Sequence, residues 1–187
     1  MLLALFGGTF DPVHLGHLHM ATLAKDVLAL DEVRFIPCQI SPHKIGSTPA
    51  SPEDRLEMLR LALADTPWAT IDDLELRRPG PSFSYQTAEE TAARFPEARL
   101  FWIMGGDQWA ALPRWKHPEK IAELVEFIVI ARNDTPRPRP GYRMHLLTGE
   151  HPASSTEIRL ALSSGNPAPW LSPAVAGWIE HRHLYGT

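Results

Sequence analysis

The chain has 187 residues, 44% hydrophobic and 21% charged, with a formal net charge of -4. That balance excludes a disordered chain, a collagen and a coiled coil, and the mild acidity argues against a surface that coats nucleic acid. The one cysteine, Cys38, rules out an internal disulfide or a cysteine-built zinc site, and no apolar run approaches the ~18 residues of a membrane span.

The expectation is one domain over residues 1–187, since compact domains commonly run to roughly this length. Met1 to Phe6 lacks a basic flank and stops at Gly7-Gly8, unlike a signal peptide, so the chain reads as cytoplasmic. Residues 2–6 form a continuous apolar run ending in glycines, as a fully buried strand does. Residues 15–30 read as a helix and 32–37 as a second strand. After a loop over 41–50, Ser51-Pro52-Glu53-Asp54 opens a helix, with Ser51 as N-cap and Pro52 preset for the first turn. Residues 69–76 look extended, Pro79-Gly80-Pro81 breaks the chain, and 85–95 look helical. Strands follow at 99–104, 127–131 and 143–147, and helices at 154–162 and 173–183. The Pro- and Arg-rich run 132–143 reads as a mobile surface loop. Such alternation predicts an α/β fold: a doubly wound, mainly parallel sheet with helices on both faces. Ligands of such sheets bind at the carboxyl ends of the strands.

The stretch Gly7-Gly8-Thr9-Phe10-Asp11-Pro12-Val13-His14-Leu15-Gly16-His17 joins the first strand to the first helix. Glycines there permit a sharp turn and close approach to a ligand, with amide N–H groups offered to an anion. His14 and His17 are three residues apart and project to one side, and Gly16 leaves room between them. Imidazole donors at a helix N-terminus suit phosphate oxygens. Two other readings stay open: a plain strand–turn–helix corner, or a metal site using both histidines and Asp11. Neither the P-loop nor the dinucleotide fingerprint is present.

A second cradle is Ser154-Ser155-Thr156-Glu157-Ile158-Arg159. Ser154 with Glu157 fits a capping box, which leaves Ser155, Thr156 and Arg159 unexplained. Hydroxyls at a helix N-terminus with an arginine one turn on make an anion site. Together the two cradles imply a polyphosphate between two helix N-termini. Lys44, in the loop after the second strand, is within reach of such a phosphate. Gly105-Gly106-Asp107 follows a strong strand and suits ribose contact, although Asp107 as an ordinary cap is the competing reading. Trp115 offers a stacking surface, or ordinary packing. His181 and His183 read as surface residues.

Taken together, these motifs resemble those of bacterial nicotinate-nucleotide adenylyltransferases. Residues 7–17 resemble that family's GGTFDPxHxGH stretch and residues 154–159 its SSTxIR stretch. Residues 41–44 resemble its PPHK loop, 81–84 its PSYT segment, and Gly105–Asp107 with 112–115 its GxD…(L/F)PxW segment. The first two motifs mark the wider nucleotidyltransferase superfamily; the last segments point to the nicotinate member. Ser41 replaces a proline, Phe83-Ser84 replaces Tyr-Thr, and Lys116 stands where some members carry an aromatic.

The resemblance implies a Rossmann-like fold and transfer of adenylyl from ATP to nicotinate mononucleotide, giving deamido-NAD and pyrophosphate with Mg²⁺. It implies that His14 and His17 are catalytic, holding ATP phosphates and developing charge. Gly8, Thr9, Phe10, Lys44, Gly105, Asp107, Ser155, Thr156 and Arg159 then belong to the ATP site, and Ser84 and Trp115 to the nicotinate nucleotide. No protein metal ligands are expected, Mg²⁺ arriving mainly on the phosphates. The expected partners are these two nucleotides, with neither nucleic acid nor membrane. A non-catalytic nucleotide sensor and a metal-dependent hydrolase built on His14, His17 and Asp11 are the rival classes.

Overall fold

The computed structural model describes residues 1–42, 48–131, 135–149 and 151–187. Among them, six strands form one sheet: β1 (Leu2–Gly8), β2 (Glu32–Pro37), β3 (Ala69–Ile71), β4 (Arg99–Gly105), β5 (Val125–Ala131) and β6 (Met144–Thr148). All pairings are parallel and the order is β3-β2-β1-β4-β5-β6. The chain winds outward from β1 to β3, returns to β4 on the other side of β1, and winds outward again. This is the doubly wound Rossmann order, with its switch point between β1 and β4.

Alternate residues of the central strands feed two cores, one per sheet face. Ala4, Phe6, Phe35, Phe101, Ile103 and Ile128 pack with Ala21 and Ala24 of helix α1 (Leu15–Val27). Met58 and Leu59 of α2 (Pro52–Leu63) and Val175 and Ile179 of α7 (Pro173–His181) complete that layer. Leu3, Leu5, Trp102, Met104, Phe127 and Val129 pack on the opposite face. Their partners are Ala88 of α3 (Ser84–Arg94), Trp109 of α4 (Gly106–Ala111) and Ile121 of α5 (Pro118–Leu124). Burial on both faces explains why these strands are unbroken apolar runs rather than alternating ones.

Several element ends differ from expectation for local reasons. Helix α1 stops at Val27, because Ala29 takes φ 49° and the Leu30 N–H returns to the Lys25 carbonyl at 3.1 Å. Strand β3 covers only Ala69–Ile71 of the expected 69–76. Beyond it Asp72 accepts the Leu74 N–H at 3.2 Å, an Asx turn that ends the strand, while Arg34 and Arg94 hold the same carboxylate. At the sheet's amino end, Arg99 donates two 2.8 Å bonds to Glu126, which also meets His145 and Arg143. The Arg99 guanidinium holds the Glu126 carboxyl down at about 2. Those contacts tie β4, β5 and β6 at the end remote from the cleft described below.

Candidate active site

A cleft of about 1470 Å³ opens at the carboxyl ends of the strands. Gly8, Thr9, Phe10, His14, His17, Ser84, Gly105, Asp107, Trp115, Ser155, Thr156 and Arg159 all line it. Lys44, the other residue expected there, lies outside the described residues. Side chains separated by more than 140 positions therefore share one concavity.

The β1–α1 loop is shaped by two glycines that side chains crowd closely. A Cβ on Gly8 would lie 3.0 Å from the Phe10 ring, and one on Gly16 would lie 3.0 Å from the His14 ring and 3.2 Å from Ala153. Phe10 itself takes φ 50° and is buried, with its ring packed on Phe6, Phe35 and the edge of His17. Its side chain belongs to the core, so only its main chain and the way it steers His17 are offered to a ligand.

His14 is the N-cap position of α1 and is buried, whereas His17 is half-buried. Their rings stack at 3.8 Å with 27° between planes. The His14 N–H donates to His17 Nδ1 at 3.3 Å, so a neutral His17 ring carries its proton on Nε2. That makes His17 an N–H donor on the cleft wall, in an orientation fixed from behind. Not every amide at this helix start is offered to a ligand, since the Leu15 N–H already donates to Trp170 O at 2.8 Å.

The second cradle opens α6 (Ser155–Ser163). The expected capping box is not formed: Ser154 is the N-cap residue, but its side chain makes no cap hydrogen bond. The helix start is instead pinned by tertiary bonds. Ser155 Oγ donates to Pro12 O at 3.0 Å, and Arg159 Nη1 donates to Asp11 O at 2.6 Å. Arg159 also lies 3.8 Å from the Asp11 carboxylate and 3.5 Å from the Thr156 hydroxyl. The two cradles are thus bonded directly to each other, and Arg159 both braces the loop and lines the cleft.

Three residues hold this arrangement: Arg55 and Tyr185, which the sequence reading did not single out, and Asp11, which it considered in another role. Arg55 has no exposed surface. It donates to the carbonyls of Thr9 (2.9 Å), Cys38 (2.9 Å) and Ala50 (3.1 Å), joining the ends of β1 and β2 to the start of α2. The signal for it was an arginine at a core-facing position of a helix that otherwise buries Met58 and Leu59. Asp11, weighed only as a metal ligand, instead accepts the Ala50 N–H at 3.0 Å and the Tyr185 hydroxyl at 2.7 Å. Burial, and then that bond to Asp11, push the Tyr185 phenol far above its usual range, so it stays a donor. No local pattern announces a contact that spans 174 positions.

The other end of the cleft is shaped by rings. Gly105, not Asp107, is the N-cap of α4, and its N–H donates to Gln108 Oε1 at 3.3 Å. The exposed Asp107 is therefore not the helix cap. Trp115 is half-buried, edge-on to Trp102 at 6.4 Å, and Ser84 is the first residue of α3. Residues 135–143 do not hang loose, as expected for a mobile loop, but dock on Trp109. The Trp109 indole N–H donates to Arg137 O at 2.9 Å, and Arg139 donates back to Trp109 O at 3.1 Å. Glu75, behind the Ser82–Ser84 segment, accepts from the Thr87 hydroxyl at 2.5 Å, and burial pushes its carboxyl pKa up. His181 and His183 are exposed, as expected.

Among the described residues no cluster of three or more His, Cys, Asp or Glu is placed to hold a metal ion. What His14, His17, Arg159 and the Thr156 hydroxyl offer in common is hydrogen-bond donors, to which Arg159 adds positive charge, the requirement of a polyphosphate.

An open parallel sheet with such a donor-lined cleft at its switch point defines a nucleotide-handling α/β protein, and residues 5–161 match the cytidylyltransferase-like family model. The chain is 41% identical to a probable nicotinate-nucleotide adenylyltransferase of Thermus thermophilus, over 99% of this chain and 100% of that protein. It is 37% identical to one of Geobacillus thermodenitrificans, over 98% and 86%. It belongs to the nicotinate-nucleotide adenylyltransferase family. The fold is also that of the Plasmodium falciparum nicotinic acid mononucleotide adenylyltransferase, solved as a complex with NaAD, with a TM-score of 0.81 at 18% identity over 98% of this chain and 96% of that one. No helix among the described residues is long and apolar enough to cross a membrane.

Proposed function

We propose that the chain transfers the adenylyl group of ATP to nicotinate mononucleotide, giving deamido-NAD and pyrophosphate in NAD biosynthesis. One observation carries this reading: two donor-rich cradles from opposite ends of the chain meet through the Arg159–Asp11 bond on one wall of a cleft whose other end is aromatic. Family membership supports the same assignment.

In this reading His14, His17, Ser155, Thr156 and Arg159, with Lys44 and the main chain of Gly8, Thr9 and Phe10, hold the triphosphate. Gly105 and Asp107 meet the ribose, and Ser84 and Trp115 meet the nicotinate nucleotide. A phosphate oxygen of the mononucleotide attacks the α-phosphorus in line. One P–O bond forms, the bond to the β-phosphate oxygen breaks, and pyrophosphate departs with the electron pair. No protein nucleophile is required, so the protein contributes positioning and charge stabilisation. His17 donates Nε2–H to the α-phosphate, where negative charge accumulates, and its orientation is set before the substrate arrives. A divalent cation, Mg²⁺ in this proposal, enters as the companion of ATP and offsets the charge of the phosphates.

The test is purified protein with ATP, Mg²⁺ and nicotinate mononucleotide, followed by pyrophosphate release. Release that requires the mononucleotide, with deamido-NAD as product, is the expected result. ATP binding without turnover would instead mark a sensor, and ATP breakdown without a mononucleotide would mark a hydrolase.

A further inference from the structure

At the aromatic end of the cleft, Lys116 directly follows Trp115, and both line the cavity beside Phe83 and Ser84. The exposed Lys116 side chain folds back over the Phe83 ring, with Nζ 4.4 Å from the ring centre, and stands 6.0 Å from Tyr85. Neighbouring Lys120 is paired with Glu89 at 3.3 Å, whereas among the described residues no carboxylate comes within ion-pairing distance of Lys116. The acidic residues lining the cleft, among those described, are Asp11, Glu75 and Asp107. Asp11 is engaged by Tyr185 and Arg159. Glu75 is buried, and its burial favours the neutral acid. Among the described residues Lys116 thus rests its charge on a ring face with no carboxylate in ion-pairing range, one residue from the surface expected to stack the pyridine.

We propose that Lys116 determines acceptor specificity, favouring a mononucleotide whose pyridinium carries a carboxylate over one carrying a carboxamide. The inference rests on the proposed function and adds to it the residue that chooses the acceptor. Stacking on Trp115 treats both rings alike, because the substituent leaves the ring face nearly unchanged. Lys116 does not treat them alike. Its charge repels the cationic ring of both substrates, but only the acid form offers an anion that outweighs this repulsion. Three ammonium donors match a carboxylate, which only accepts, whereas a carboxamide also presents an N–H₂ that an ammonium cannot satisfy. The preference therefore comes from attraction of one substrate and repulsion of the other.

Lys116→Met tests this, since it keeps an unbranched apolar side chain to cover Phe83 and removes the charge. kcat/KM is measured for the nicotinate and nicotinamide mononucleotides with wild type, Lys116→Met and Lys116→Arg. The nicotinate-to-nicotinamide ratio should fall roughly 5- to 20-fold in the Met variant, between the effect of an exposed ion pair and that of a charge-assisted hydrogen bond. Arginine should restore most of it. Raising the salt concentration should lower the wild-type ratio and leave the Met variant's ratio flat. An unchanged ratio overturns the proposal, whether both rates persist (Lys116 only packs) or both fall together (it holds the shared phosphate). Wild type that turns over neither mononucleotide overturns the proposed function itself, a result visible before any variant is made.

Discussion

The two ends of the cleft are built by different means. The phosphate end is cross-braced by hydrogen bonds between segments far apart in sequence: Arg55 to three carbonyls, Tyr185 and Arg159 to Asp11, and Ser155 to Pro12. Most of these bracing groups are buried or half-buried. The acceptor end is assembled from ring contacts near the surface: Trp115 on Trp102, Lys116 over Phe83, and Tyr85 against His117. A transferring phosphoryl group rewards donors fixed to fractions of an ångström, because the gain lies in not having to reorganise them. Choosing an acceptor needs only a flat face and a charge of the right sign. The difference in construction follows the difference in task, and it sets the order of the mutational effects.

The largest effect belongs to His17. Replacing it with alanine removes a preorganised donor and should lower kcat by about 10²–10³-fold. The melting temperature should stay close to wild type, since His17 is half-buried on the cleft wall. Single-turnover measurement with ATP and nicotinate mononucleotide checks this. Normal turnover would remove the distinction between the two ends.

Arg55 comes next, and it tests the bracing rather than the chemistry. In Arg55→Met the carbonyls of Thr9, Cys38 and Ala50 lose their guanidinium partner, at about 1–3 kcal/mol for each buried acceptor left unsatisfied. The variant should melt earlier, and a loop misplaced by about an ångström should cost up to ~10²-fold in kcat. The KM for the mononucleotide should change little, because Arg55 lies at the other end. A fall in melting temperature with intact kcat would show that Arg55 only stabilises the fold. Equal damage at both ends would show that they are not separately built.

The same contrast explains what the sequence made legible. Apolar runs such as residues 2–6 and 100–104 specify buried parallel strands whatever surrounds them, and the Gly8/His14/Gly16/His17 spacing is a local pattern. Both were therefore readable. Asp11 and Tyr185 were not, because the bond between them exists only once the sheet has brought the C-terminus over the first loop. Ser154 shows a local signal losing to tertiary structure. Its capping-box pattern is intact in sequence, yet bonds from Ser155 and Arg159 to the Asp11-Pro12 carbonyls fix the helix start without it. Residues 135–143, the described part of the run 132–143, misled in the opposite direction. Proline and arginine content predicted a loose loop, but the indole N–H of Trp109 needs an acceptor, and the Arg137 carbonyl supplies it.

The smallest expected effect is at Trp115, and it isolates stacking from charge. A pyridinium ring is flat and cationic, so an indole face attracts it by stacking and cation–π contact worth roughly 0.5–2 kcal/mol. Trp115→Ala should weaken both mononucleotides by similar factors, roughly 2- to 30-fold in KM, with kcat for bound substrate largely kept. The ratio between nicotinate and nicotinamide forms should survive, because neither ring loses more stacking than the other. ATP affinity should also survive, since the phosphate end is held by contacts that do not pass through Trp115. Steady-state kinetics with each mononucleotide at saturating ATP measures both quantities. If KM for ATP rises together with that of the mononucleotide, the two ends are coupled through Trp102, the buried β4 residue on which Trp115 rests. If neither KM moves, the indole only fills the edge of the core, and the acceptor's ring is held elsewhere.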